Sequence, residues 1–210
     1  GYSNEWAADA ILNQNIFAQD RSYESETKNC RKLLGMEYSM LRREFIKHSR
    51  NKEIDEPKEI RKVLITLGGG DPSNATGKII QALNKINTSI LSIRIILGAS
   101  NRNKNTIQNL IHMSPHSLQL FENVDDMPML YQWADGVISA GGSTCWEWMY
   151  YGIPSCAVAI ADNQLPIVEK LAAEKQLTYL GWHESLNPQI CAEKIKLWLQ
   201  KPTIPNQSNA

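Results

Sequence analysis

The sequence has no excess of either charge, no paired cysteine motif and no long apolar run, and each absence removes a class of function. Lysine and arginine total 22 against 22 aspartate and glutamate, so the formal net charge is zero. No global field therefore holds the chain on nucleic acid or on an anionic membrane surface, and any polyanionic ligand must be met locally. The four cysteines, Cys30, Cys145, Cys156 and Cys191, stand far apart with no Cys-x-x-Cys pair, which excludes a zinc ribbon and a thioredoxin-type redox motif. Cys145 and Cys156 lie in apolar stretches that suit buried free thiols, and a reducing, cytoplasmic setting is expected. The longest apolar runs, such as residues 156–161, fall far short of the roughly 20 residues needed to span a bilayer, and no basic-then-apolar leader pattern opens the chain. A soluble protein with no membrane span and no nucleic-acid partner is expected. The first residues are Gly-Tyr rather than Met, which is compatible with processing or with a piece of a longer protein.

What is present is globular: 210 residues with 42% hydrophobic and 21% charged side chains can bury a sizeable core. That length suits one ordinary domain, or one domain with an attached fragment. A polar stretch at 47–62, containing Asp55-Glu56-Pro57-Lys58-Glu59, has no apolar period and is the candidate linker. Before it, residues 1–46 offer a short strand at Ala10–Asn13 but cannot build a core alone. After it, β-type apolar runs at 63–67, 93–97, 136–140, 155–160 and 178–180 alternate with helix-length segments. This predicts an α/β fold with a Rossmann-like parallel sheet and helices on both faces over 63–201, then a polar tail at 202–210. Ile79, Ile80, Leu83 and Ile86 repeat near 3.6 and predict a helix over 75–87. Further helices are predicted over 125–133, 144–151, 166–175 and 188–200, the last two opening on prolines tolerated in a first turn.

Ligands in open α/β sheets gather beyond the carboxyl ends of the strands, and two strand-end loops here are rich in glycine. The first, Leu67-Gly68-Gly69-Gly70-Asp71-Pro72-Ser73-Asn74, leads to a helix that Ser73 or Asn74 can cap. It fails the Walker pattern, because Pro72 and Ile79 stand where glycine and Ser/Thr are needed, and it fails the dinucleotide fingerprint, because Ser73 holds the third glycine position. ATP and NAD are both demoted, and a plain tight turn accounts for the glycines equally well. The second loop, Ser139-Ala140-Gly141-Gly142-Ser143-Thr144, opens the helix containing Glu147. Glycines at 141 and 142 allow close approach to the backbone, Ser143 can cap the helix or donate to an oxygen, and the unpaired amides there suit a diphosphate without any lysine. Glu147 follows Ser143 by four residues, one turn along the same helix face, where its carboxylate can accept two hydrogen bonds from a ribose diol. The alternative is a solvated glutamate that complements the helix terminus.

Other catalytic patterns are weaker. Gly141-Gly142-Ser143-Thr144-Cys145 ends in cysteine where a nucleophile elbow needs glycine. His112 and His116 have helical spacing, but Pro115 intervenes and no acidic ligands surround them, so both read as surface histidines rather than a zinc site. His48 and His183 have no evident partner. Trp146 and Trp148 point to different faces of one helix, and at least one is expected in the core or against a partner rather than stacked on a base. No carboxylate cluster is placed for magnesium, so neither metal nor other cofactor is expected.

Taken together, Leu120-Phe121-Glu122-Asn123-Val124-Asp125-Asp126-Met127, Trp133-Ala134-Asp135, Gly141-Gly142-Ser143-Thr144, Glu147, Gly152-Ile153-Pro154 and Asp162-Asn163-Gln164 resemble the nucleotide-binding half of GT-B sugar-nucleotide enzymes. Within that group, Gly68-Gly69-Gly70-Asp71-Pro72, Ser139-Ala140-Gly141-Gly142-Ser143 and Asp162-Asn163-Gln164 look most like the UDP-sugar hydrolases of pseudaminic acid biosynthesis and the related SpsG-type polysaccharide proteins, rather than MurG-type glycosyltransferases. Leu12-Asn13-Gln14-Asn15 and Leu34-Gly35-Met36-Glu37-Tyr38-Ser39-Met40-Leu41-Arg42 resemble the end of that family's N-terminal domain, so 1–46 would be its remnant. The resemblance implies that Asn123 and Val124 meet uracil through main-chain groups, that Gly142, Ser143 and Thr144 hold the diphosphate beside Gly69 and Gly141, and that Glu147 holds the ribose. Asn163 and Gln164 would face the sugar or phosphates. It also implies UDP or a UDP-sugar as ligand and a missing N-terminal domain as partner. In such a hydrolase, water attacks the anomeric carbon, UDP leaves, and a histidine from an N-terminal glycine-histidine motif takes the water proton. No segment of this sequence matches that motif, so no catalytic residue is assigned and the isolated chain is expected to bind without turnover. Transfer to a hydroxyl acceptor, and a non-catalytic nucleotide-sugar binding module, are the alternatives.

Overall fold

Parallel pairing, which needs a crossover between partners, starts in the first forty residues. The computed structural model describes residues 5–25, 28–48 and 59–205, so most of the expected linker and the end of the tail lie outside the described residues. Glu5–Trp6 (β1) pairs with Glu24–Ser25 (β3), and Ala10–Asn13 (β2) pairs with Arg31–Leu34 (β4), both in parallel. A short helix, Arg43–Lys47 (α1), follows. Met36 and Phe45 from this segment are buried against the helices of the later residues rather than in a core of their own.

From residue 62 the chain forms one six-stranded parallel sheet: Lys62–Thr66 (β5), Ser92–Leu97 (β6), Ser117–Glu122 (β7), Gly136–Ala140 (β8), Ser155–Ala159 (β9) and Thr178–Trp182 (β10). Their spatial order is β10-β9-β8-β5-β6-β7. The central strands read as continuous apolar runs because both faces are covered. In β5, Val63 and Ile65 enter one core layer and Leu64 the other. The first layer is closed by Ala75–Asn84 (α2), Lys104–His112 (α3) and Pro188–Gln200 (α7), through Ile79, Leu83, Ile107, Ile195 and Trp198. The second is closed by Met127–Trp133 (α4), Thr144–Tyr150 (α5) and Leu165–Ala173 (α6), through Tyr131, Trp148 and Val168, with Phe45 of α1 added to it. This is the parallel α/β architecture expected from the alternating runs.

Two elements escaped the pattern. β7 is an edge strand whose residues are at most half-buried, and α3 buries only Ile107, so neither carries a continuous apolar signal. The helix expected over 75–87 ends at Asn84, although Ile86 still packs in the core from the following turn. The helix expected from 125 begins at Met127, because the Asp126 carboxylate caps it by accepting from the Met129 amide at 3.1 Å. His116 is not a surface side chain. It is buried, with Nδ1 3.4 Å from the Leu91 amide and Nε2 3.1 Å from the Leu83 carbonyl, so its ring bridges two elements of the core. Both Trp146 and Trp148 are buried.

Candidate functional site

Strands add to β5 in both directions, β6 and β7 on one side and β8 to β10 on the other. The order therefore reverses between β5 and β8. The loops leaving these two strands part to opposite faces, to α2 on one and α5 on the other, and open a crevice at the carboxyl edge. Both glycine-rich loops of the sequence leave the sheet at that reversal, one after β5 and one after β8.

They are chemically different. In the first loop the Asp71 carboxylate accepts from the Ala75 and Thr76 amides at 2.7 and 2.9 Å, and the Asn74 side chain accepts from the Gly77 amide at 3.2 Å. Asp71 is buried, and it already supplies the anion that the start of α2 favours. Gly69 is used for packing. Its carbonyl accepts from Ser100 Oγ at 2.8 Å, and a Cβ added to Gly98 would fall 2.2 Å from the Gly69 Cα. Because backbone presses on backbone there, Gly98→Ala is expected to cost about 1–3 kcal/mol. Urea denaturation checks this, and an unmoved midpoint would contradict the contact.

The loop after β8 is open. Ser143 is exposed and its side chain makes no cap hydrogen bond, contrary to the capping role it can play by sequence. The amides of Cys145 and Trp146 turn back to the Gly142 and Ser143 carbonyls at 2.9 and 3.0 Å. No group among the described residues accepts from the amides of Gly142, Ser143 or Thr144. Gly141 has a packing reason as well, since a Cβ there would lie 2.2 Å from Val168 Cγ1 in α6. Gln164 closes the loop from the side. Its Oε1 accepts from the Ile160 amide at 3.0 Å, and its Nε2 would stand 3.2 Å from a Cβ on Gly142. Asn163 beside it is exposed on the wall of a cavity of about 490 Å³ that also includes Asn13, Arg21, Tyr23 and Ile167. At the end of β7, Asn123 takes a left-handed φ of 51°, and Val124 packs at the margin of the second core layer.

One turn into α5, the Glu147 side chain is 17% exposed and held from two directions. The buried Tyr131 hydroxyl of α4 donates to Oε2 at 3.1 Å, and the Arg42 guanidinium stands 3.6 Å from Oε1. Burial pushes the carboxyl above its ordinary range, while the Tyr131 hydrogen bond and the Arg42 charge pull it back and Glu44 adds to the rise. A carboxylate offers about four lone-pair positions, so two remain for a ligand. Cys145, on the same helix, is no nucleophile: burial, reinforced by Glu147, pushes its thiol up to about 12.

Residues 63–208 match the glycosyltransferase family 28 C-terminal domain. The chain belongs to that family. Among relatives, the uncharacterized protein MJ1062 of Methanocaldococcus jannaschii is 29% identical over 168 residues, covering 78% of this chain and 34% of the relative. Spore coat polysaccharide biosynthesis protein SpsG of Bacillus subtilis is 24% identical over 178 residues, covering 84% of this chain and 51% of SpsG. The chain thus spans a third to a half of the length of these relatives. Among solved structures, Acinetobacter baumannii MurG superposes with a TM-score of 0.58 at 18% identity, covering 84% of this chain and 50% of MurG, which places the fold with GT-B glycosyltransferases.

Within this family 28 domain Gly141, Gly142, Ser143 and Thr144 lie at the loop after β8 with Gln164 against it and Glu147 one turn along α5, while Gly69 lies on the loop after β5, packed on Gly98 and Ser100. Asn163 stands on the loop after β9, the strand next to β8, whereas Asn123 and Val124 stand on the loop after the edge strand β7, with β5 and β6 between it and β8. Sequence reasoning assigned no role to Tyr131, nor to Arg42, which lies upstream of the family match. No spacing rule joins residues 16 or 105 positions from Glu147; only the packing of α1 and α4 against α5 does. Among the described residues no helix is long and apolar enough to cross a membrane.

Proposed function

We propose that the chain is the UDP-binding part of an enzyme acting on a UDP-linked sugar, in the manner of the hydrolases of nonulosonic acid or surface-polysaccharide synthesis. Fold alone does not carry this reading, since one architecture hosts many chemistries. The observation that carries it is the half-buried Glu147 carboxylate, held from two sides with lone pairs to spare, one turn from a loop whose amides are unfilled. A diphosphate on the Gly142–Thr144 amides would set the adjoining ribose diol against Glu147, with uracil at the main chain of Asn123 and Val124. The sugar would extend toward Asn163 and Gln164. The SpsG likeness supports a polysaccharide setting.

Catalysis requires a base for water, and none of the chain's histidines is suited to it. His116 is committed to the core, and His48, His112 and His183 stand outside any glycine-histidine motif. The base is assigned to an N-terminal domain of the parent protein, which would complete the cleft. Water would add to the anomeric carbon as its bond to UDP breaks, with the loop amides taking up charge on the departing diphosphate.

Isothermal titration of this chain with UDP, CMP and ATP is expected to show binding of UDP in preference to the other two; an equal response, or none, would defeat the reading. Products of the full-length protein separate hydrolysis from transfer, because free sugar marks the first and an acceptor conjugate the second.

A further inference from the structure

We propose that Arg42 is a positioning residue of the nucleotide site: with Tyr131, it fixes the Glu147 carboxylate in the orientation that receives the ribose diol. The proposal rests on the ribose role given to Glu147 above and adds that the site is incomplete without residues upstream of the family 28 domain.

The segment carrying Arg42 is firmly docked. Phe45 is fully buried, 5.8 Å from the Tyr131 ring and 6.1 Å from the Tyr151 ring, and Tyr131 and Tyr151 are stacked at 5.9 Å. The Tyr151 hydroxyl donates to the His48 carbonyl at 3.1 Å, which closes the end of α1 onto the same cluster. Arg42 leaves this anchor with its guanidinium 4.9 Å over the Phe45 ring, 2.9 Å from Glu44 and 3.6 Å from Glu147. Tyr131 and Arg42 thus address different oxygens of one carboxylate, from two elements that Phe45 locks together. With both in place the carboxylate cannot turn freely about its last bond, and its unused lone pairs keep one direction. That pre-alignment lowers the ordering cost of binding a diol. The charged and titratable groups facing Glu147 are Arg42 and Glu44 from the α1 segment, Tyr131 from α4, and Cys145 and Tyr151 from its own helix and the residue after it. Among the described residues Arg42 is the one cation of this group, and its charge, after the Tyr131 hydrogen bond, draws the carboxyl back from the rise that burial causes.

The test compares UDP with 2′-deoxy-UDP by isothermal titration for wild type, Arg42→Gln, Arg42→Lys and Tyr131→Phe, and follows the Glu147 carboxyl by carbon NMR. Tyr131→Phe keeps the ring in its stack and removes only the hydroxyl, so it covers the case in which Arg42→Gln fails to fold. Arg42→Gln and Tyr131→Phe are each expected to weaken UDP about tenfold while changing 2′-deoxy-UDP less than about twofold. The Glu147 midpoint should rise in Arg42→Gln and return toward wild type in Arg42→Lys. Equal weakening of both nucleotides with an unmoved Glu147 midpoint would overturn the proposal and leave Arg42 a packing residue. If the midpoint moves but wild type does not distinguish the two nucleotides, the ribose reading itself fails and takes the proposal with it.

Discussion

Replacing Trp148 with alanine is expected to lower the unfolding free energy by about 3–5 kcal/mol, the range for emptying a large aromatic site in a core. Trp148 is fully buried on α5, in the layer it shares with Tyr131, Val168 and Leu171. Its indole N–H donates to Ser139 Oγ at 3.0 Å, and Ser139 is itself buried in β8. One residue therefore ties the site helix to the strand whose loop opens the crevice. Alanine leaves a cavity and strips Ser139 of a partner; phenylalanine keeps most of the volume and loses the hydrogen bond, so it should cost less. For a chain of this length the alanine variant should melt on the order of 10 °C lower. Urea and thermal denaturation measure both, and a loss below about 1 kcal/mol would mean that α5 is not anchored through this side chain. UDP binding should weaken along with stability, because Glu147 is the preceding residue of the same helix.

Glu147→Gln separates stability from binding in the opposite sense. Losing a charged acceptor for the ribose should cost about 10- to 100-fold in UDP affinity. Stability at neutral pH should rise slightly, because the variant no longer carries a carboxylate that burial disfavours. The sign follows from linkage. A carboxyl raised by burial binds its proton more tightly in the native state than in the unfolded chain. Its stabilising contribution is fully present below the unfolded-state range and is lost as pH rises through the raised native value. The stability gap between Glu147→Gln and wild type should therefore be widest near pH 7 and close toward about pH 3, where the glutamate is neutral in both the native and the unfolded state. Denaturation series across that interval check it. A gap independent of pH would mean that Glu147 does not titrate differently in the native state.

These expectations differ in how much of them was legible in the sequence. The runs at 63–67, 136–140 and 155–160 announce buried parallel strands because a strand covered on both faces must be apolar along its whole length. Ser143 and Glu147 announce a shared face because helical geometry puts residues four apart over one another. Local chemistry of this kind is complete within one element. β7 and α3 were illegible for the converse reason: an edge strand and a helix burying only Ile107 need little apolar character.

What the sequence by itself determined is the parallel α/β class, the second glycine loop as an opening to a helix, and Glu147 one turn beyond it. What only the tertiary structure decided is which residues meet. The reversal of strand order between β5 and β8 makes the crevice, and strand order depends on pairing between segments more than 70 residues apart. Asp71, folded back onto the start of α2, distinguishes a self-capped loop from the open one after β8. His116 entered the core because the Leu83 carbonyl and Leu91 amide converge on its ring. Arg42 reached Glu147 because Phe45 packs against the stacked pair Tyr131 and Tyr151. Periodicity reports how each segment meets a core, whereas long-range packing selects which segments share it, and the second cannot be read from residues that are not neighbours along the chain.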